Sequence, residues 1–346
     1  MQIASLLSQA LRLGASDLHL AAGQPPRLRL HGDLLALESP ALQARDIDEL
    51  LAPLMSAAQR QLRESGATLD FSSELPGLTR LRAHCFRQMR GPAATLRIVP
   101  GAVRSLDELQ AGDVLRRLAM LSSGVVLVVG ATGSGKSSTL AAMADHRNRH
   151  QDGHILTVED PIEFIHTSRR CLVNQREVGL HCRDFAQALR AALRADPDVL
   201  VVGELRDAQT AQLALSAAET GHLVLATLHA RGAMQAIGRL IEMCPPGFQG
   251  AARALLADSL RAVVAQTLCR RADGRGRVAA LEILLAAPSI SHLIRENKAA
   301  QIVSVMQSGS SQGMRTLDQA LAALERQGVI SAIEARRHAR HPEIPA

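Results

Sequence analysis

The stretch Gly130-Ala131-Thr132-Gly133-Ser134-Gly135-Lys136-Ser137 constrains the fold of this chain more than any other feature. It fits G-x-x-x-x-G-K-[ST], the pattern of a phosphate-binding P-loop, and its flanks suit one. Val125 to Val129 before it is β-branched and apolar, as a buried parallel strand should be. Ser138 to Met143 after it reads as the start of a helix. Here glycines let backbone N–H groups face a polyphosphate with no Cβ in the way, and the helix N-terminus adds partial positive charge. Gly130, Thr132, Gly133, Ser134, Gly135, Lys136, Ser137 and Ser138 are therefore the candidate phosphate-binding residues. The Lys136 ammonium suits the β- and γ-phosphates of ATP, and the Ser137 hydroxyl suits Mg²⁺.

The following residues repeat the rhythm such a loop demands. Candidate strands at Val125–Val129, Ile155–Val158, Val199–Val202 and Leu223–Thr227 alternate with helical stretches that include Phe185–Arg194 and Ala208–Glu219. That alternation predicts a parallel α/β sheet with the loop at a strand's carboxyl end. Residues 1–100 read as a smaller α+β domain. Ile3, Leu6, Leu7, Ala10 and Leu11 recur at helical spacing, turn signals fall at 23–26 and at His31-Gly32-Asp33, and Leu42 to Glu64 is helical in pattern. Thr68 to Phe71, Leu78 to Arg87 and Ala94 to Val99 read as strands, and Pro100-Gly101 ends the unit. Ser105 to Glu108 resembles a helix cap, and Asp196-Pro197-Asp198 a cap on the preceding helix. Four segments result: a domain at 1–100, a linker at 101–118, a P-loop core at 119–288 and a helical region at 289–346.

The 346 residues carry a net charge of +6, supplied by arginine, since Lys136 and Lys298 are the only lysines. A basic balance suits nucleic acid, anionic lipid or phosphate ligands, and also an arginine-rich solvated surface. With no Trp, no Tyr and five Phe there is little to stack bases on, so no nucleic acid is expected. The five cysteines form no C-x-x-C pair, which argues against a disulfide framework and against paired-cysteine zinc sites. No apolar run approaches the ~18 residues that span a bilayer, and no basic leader precedes the first apolar residues, so a cytoplasmic protein is expected.

Four further segments carry candidate chemistry. Glu159, Asp160 and Glu163 follow a strand within five residues, either to order Mg²⁺ and polarise a water or as a solvated acidic loop. Val199 to Val202 leads through Gly203 to Glu204, the shape of a Walker B segment with glycine in the aspartate's place. Glu204 must then face the metal or its waters. His222 and His229 bracket a buried strand; either could meet a γ-phosphate or be structural. Arg80, Arg82, Arg87, Arg90 and Arg97 suit phosphate oxygens or a solvated strand face.

Taken in order, Ala15 to Leu20, Leu156 to Phe164 (LTVEDPIEF), Cys171 to Val178 (CLVNQREV), Ala217 to Leu223 (AAETGHL) and Gly309 to Leu321 (GSSQGMRTLDQAL) resemble the PilT-type motors, the retraction branch of the type II/IV secretion ATPases. The resemblance implies a PAS-like N-terminal domain and a RecA-like C-terminal domain in a homohexameric ring. It implies ATP hydrolysis with Mg²⁺, work against an inner-membrane platform protein from a cytoplasmic position at that membrane, and type IV pilus retraction, the basis of twitching motility. Under it Lys136 and Ser137 are the Walker A residues. Glu159, Asp160 and Glu163 form the aspartate box, with Glu163 the general base. Glu204 is the atypical Walker B glutamate and, with Ser137, serves Mg²⁺. His222 and His229 form the histidine box, and Arg82 and Arg97 approach the phosphates.

Two departures from that pattern leave other readings open. Ala131 replaces the usual proline, and Ser289 to Glu296 only partly matches the AIRNLIRE segment tied to retraction. Gln175 to Gly179 and Leu225 to Ala230 also suit the PilU-type accessory paralogue, which works beside a partner motor. A RecA-like nucleic-acid translocase is the other alternative, supported by the basic charge alone. The tetracysteine motif of extension ATPases is missing.

Overall fold

The computed structural model describes residues 2–30, 32–99 and 103–340. His31 of the expected turn and the expected break at Pro100-Gly101 lie outside them. The chain divides into two compact units, Met1–Ala102 and Val103–Ala346.

The first unit opens with α1 (Ile3–Leu13), whose Ile3, Leu6, Leu7 and Ala10 are buried and which stops at Gly14 in the left-handed region. Then follow β1 (Asp17–Ala21), β2 (Arg27–Leu30), β3 (Asp33–Ala36), α2 (Ala44–Leu51), α3 (Ala57–Glu64), β4 (Leu69–Leu75), β5 (Thr79–Gln88) and β6 (Gly91–Val99). The strands form an antiparallel sheet in the order β3-β2-β1-β6-β5-β4. One face packs Leu18, Leu20, Leu81 and Leu96 against Leu7, Ile47, Leu50 and Leu51 of the helices. The single helix expected over Leu42 to Glu64 is instead two. Pro53 has no N–H to continue α2, and Ser56 starts α3 afresh with a capping box to Gln59.

The second unit contains α4 (Gly112–Ala119), β7 (Gly124–Val129), α5 (Lys136–His150), β8 (Gly153–Glu159), β9 (Cys171–Glu177), α6 (Phe185–Ala192), β10 (Val199–Val202), α7 (Ala208–Glu219), β11 (Leu223–Leu228), α8 (Ala233–Glu242), α9 (Gln249–Ser259), β12 (Leu260–Arg270) and β13 (Arg277–Leu285). Its helical tail is α10 (Pro288–Arg295), α11 (Ile302–Ser308), α12 (Leu317–Arg326) and α13 (Ala332–His338). The sheet runs β13-β12-β7-β11-β10-β8-β9 and is parallel except for β13 against β12. Alternate residues of β7 feed two cores. Val125, Leu127 and Val129 face the side of α6 to α9, while Val126 and Val128 face that of α4 and α5. The α/β expectation, with an N-terminal α+β domain and a C-terminal P-loop domain, holds.

The sequence reading omitted β9, β12 and β13. β12 follows α9 without a break and is apolar on both faces, so its pattern merges with the helix. β9 is an edge strand of mixed polarity. Two expected caps are also corrected. The Ser105 N–H donates to Glu108 Oε2 at 2.6 Å and the Glu108 N–H to Ser105 Oγ at 3.2 Å, but these bonds close a turn, and α4 begins at Gly112. Asp198 caps no helix; its Oδ2 accepts the His154 N–H at 2.7 Å and fixes the start of β8.

Candidate nucleotide site

Register brings the site together. Val202 pairs with Val158 and Ala226, and Val129 with Leu228, so β7, β8, β10 and β11 end at one sheet edge. The P-loop leaves β7 there and enters α5 through Gly135, at φ 88°. β12 braces this loop. A Cβ on Gly130 would stand 2.5 Å from the Gln266 carbonyl oxygen, and one on Gly135 would stand 2.8 Å from Gln266 Nε2. Thr139 Oγ1 donates to Gln266 Oε1 at 2.8 Å. No side chain caps α5, so its first N–H groups are open to an anion. Ser134 Oγ is buried beneath Gly130 without a partner, while Thr132 and Gly133 lie exposed and Ser137 and Ser138 half-buried in the first turn.

Lys136 folds back, donating to the carbonyls of Gly130 and Ala131 at 3.0 and 2.9 Å. Burial lowers its pKa, and the nearby carboxylates of Glu204 and Glu163 oppose that shift. A buried ammonium bonded to two carbonyls, at a loop with no room for a Cβ at Gly130 or Gly135, fits a polyphosphate.

Gly203 is where two strand ends nearly touch. A Cβ there would lie 3.2 Å from Glu159 Cα and from the Val158 oxygen, which explains glycine in the aspartate's place. The next residue, Glu204, anchors a charged chain. His229 Nε2 stands 2.9 Å from its Oε1, Arg206 Nε donates to its Oε2 at 2.7 Å, and Arg206 Nη1 donates to Asp160 Oδ2 at 2.8 Å. Glu163 is exposed at this edge. Glu159 turns inward instead. Its Oε1 accepts from Thr157 Oγ1 at 2.7 Å and Gln175 Nε2 at 3.1 Å, and it also accepts the Glu163 N–H. Burial raises its pKa, with those hydrogen bonds pulling the other way. Glu177 Oε2 accepts the Ile162 N–H at 3.1 Å, so a second buried carboxylate shapes the same loop.

His222 lies apart from the P-loop within this chain. β11 carries the two histidines to its opposite ends, and seven residue steps at ~3.3 Å each separate them by roughly 23 Å. His222 sits at the edge away from the P-loop, its Nδ1 2.9 Å from the Ala217 oxygen and its own carbonyl accepting the Gly124 N–H at 3.0 Å. Within this chain it turns α7 into β11. Arg82 and Arg97 belong to the first unit, where they face each other across β5 and β6, and Arg97 Nε donates to Asp17 Oδ1 at 2.9 Å. The sequence reading missed Arg206 and Gln266. Arg206, two residues past Glu204, was detectable as a cation flanked by Glu204 and Asp207; Gln266 carried no local signal.

The family model of the type II/IV secretion system protein matches residues 1–337. The chain belongs to this family. It is 47% identical over 343 residues to the Pseudomonas aeruginosa type IV pilus retraction ATPase PilT, covering 99% of both chains. It is 39% identical to the type IV pilus ATPase PilU of the same organism, over 98% of this chain and 89% of that one. A crystal structure of the pilus retraction motor PilT with bound ADP superposes with a TM-score of 0.91 at 41% identity, covering 99% of this chain and 98% of the other. The likeness to PilT-type secretion ATPases read from the sequence is thus borne out at full length. Among the described residues no helix is long and apolar enough to cross a membrane.

Proposed function

We propose that this family member is an ATPase whose hydrolysis of ATP drives type IV pilus retraction, acting as a homohexamer on an inner-membrane platform protein from the cytoplasmic side. The observation that carries the ATPase reading is the convergence of Lys136, Glu163 and Glu204 at the carboxyl edge of β7, β8 and β10. On ATP binding Lys136 exchanges two carbonyls for phosphate oxygens, and the N–H groups of residues 133–138 cradle the rest. Ser137 and Glu204 would hold Mg²⁺. Held there, Mg²⁺ would neutralise phosphate charge. Glu163 orients the attacking water and accepts its proton. Glu159 positions Glu163 through its N–H rather than touching the nucleotide, and Arg206 ties Asp160 to Glu204. His229 reports on Glu204 directly. The role of Arg82 and Arg97, neutralising phosphate charge, enters on the resemblance alone.

The test is complementation. A piliated bacterium lacking its own retraction ATPase should regain pilus retraction with this chain and not with Lys136→Ala. No retraction with this chain alone, but more with the chain and a PilT-type partner together than with that partner alone, would favour the PilU-type accessory role; no effect of the chain in either background would refute both.

A further inference from the structure

The last described residue closes a junction far along the chain from the P-loop. Arg340, just past α13, donates from Nη2 to the Arg231 carbonyl at 2.8 Å. The same nitrogen pairs with Glu282 Oε2 at 2.7 Å, and the Arg340 N–H donates to Asp318 Oδ1 at 2.8 Å. Glu282, on β13, is buried, and its Oε1 accepts the Ala233 N–H at the start of α8 at 2.6 Å. The Leu317 N–H at the start of α12 also donates to it. One carboxylate thus holds two helix N-termini, and one guanidinium neutralises it. Gly232 makes the space, since a Cβ there would lie 2.7 Å from Arg340 Cζ.

The segment gripped is the one that begins at His229. Only Ala230 to Gly232 separate that histidine, in contact with Glu204, from α8. We infer that Arg340 is a positioning residue for the nucleotide site: it clamps the Arg231 carbonyl to Glu282 and so keeps His229 on Glu204. The clamp makes the tail helices and the His229 segment one mechanical unit. A shift of His229 when the γ-phosphate leaves must pull on α13, and a load on the tail must reach Glu204 by the same route. This inference rests on the ATPase reading above for its catalytic consequence, not for the placement of the loop.

The test uses the full chain with Arg340→Ala, Arg340→Lys and Gly232→Ala. The backbone at 232 is extended, so an alanine there is unstrained and acts by pushing the guanidinium away. Arg340→Ala and Gly232→Ala should each speed amide hydrogen exchange at residues 230–233 by about tenfold while leaving α5 unchanged. Both should lower kcat by about tenfold with KM for ATP within about twofold, and Arg340→Lys should recover most of the loss. Unchanged exchange at 230–233 in both alanine variants would overturn the inference, as would changed exchange with unchanged kcat. Failure of the unmutated chain to hydrolyse ATP would sink the ATPase reading instead; exchange, which needs no turnover, still decides whether Arg340 places the loop.

Discussion

Restoring the aspartate that P-loop enzymes commonly carry before a Walker B glutamate should damage this protein. Gly203→Asp puts a Cβ 3.2 Å from Glu159 Cα and from the Val158 oxygen, both backbone atoms that cannot swing aside. Gly203→Ala isolates that steric part, and overpacking of this kind costs ~1–3 kcal/mol. In a unit of this size each kcal/mol is worth ~2–4 °C, so the melting temperature should fall by roughly 2–12 °C. The aspartate adds a carboxylate beside Glu159, whose own ionisation burial already opposes, and the total should exceed about 3 kcal/mol. Forcing β8 and β10 apart by a few tenths of an ångström also displaces Glu204 from Lys136, so ATP turnover in Gly203→Ala should drop by about tenfold. Thermal denaturation read beside steady-state ATP hydrolysis checks both parts. A Gly203→Asp protein as stable as the unmutated one, with equal or faster turnover, would refute this account of the strand ends.

Arg206→Ala removes two half-exposed ion pairs, to Glu204 and Asp160, which should cost no more than ~1 kcal/mol of stability. Turnover should nevertheless fall by ~10- to 100-fold, since Glu204 keeps only His229; loss of stability and activity in step would contradict this. Glu159 binds its proton more tightly folded than unfolded, because burial raises its pKa. Its contribution is therefore greatest below the usual glutamate range and declines as pH rises through that range to the raised folded value. Denaturation of Glu159→Gln across that window should show a flatter fall of stability with pH than the unmutated chain, and parallel curves would exclude the effect.

The P-loop and its strand were legible because the chemistry needs fixed residue types at fixed spacing, and β8, β10 and β11 because buried parallel strands are runs of Val, Leu and Ile. α7 was read at its observed bounds, since a capping Asp207 and an alanine-rich run mark it. Tertiary partners were less visible. Gln266 lies far along the chain from the loop it braces, and the Arg206 bridge depends on the end of β10 meeting the end of β8. The separation of His222 from His229 was also not visible, because both histidines border one strand, and a strand long enough to cross the sheet must put its two ends on opposite edges. Inward-facing Glu159 looked like its neighbours in a run of acids; Gln175, which with Thr157 turns it, becomes a partner only when β9 pairs with β8.

The central claim is that this edge hydrolyses ATP, and Mg²⁺-dependent phosphate release by the purified chain over a range of protein concentrations tests it most directly. The account predicts turnover that rises with assembly, vanishes in Lys136→Ala together with nucleotide binding, and vanishes in Glu163→Gln with binding retained. Glu163→Gln turning over ATP at the unmutated rate, or an unmutated chain that binds ATP and releases no phosphate at any concentration, would contradict it.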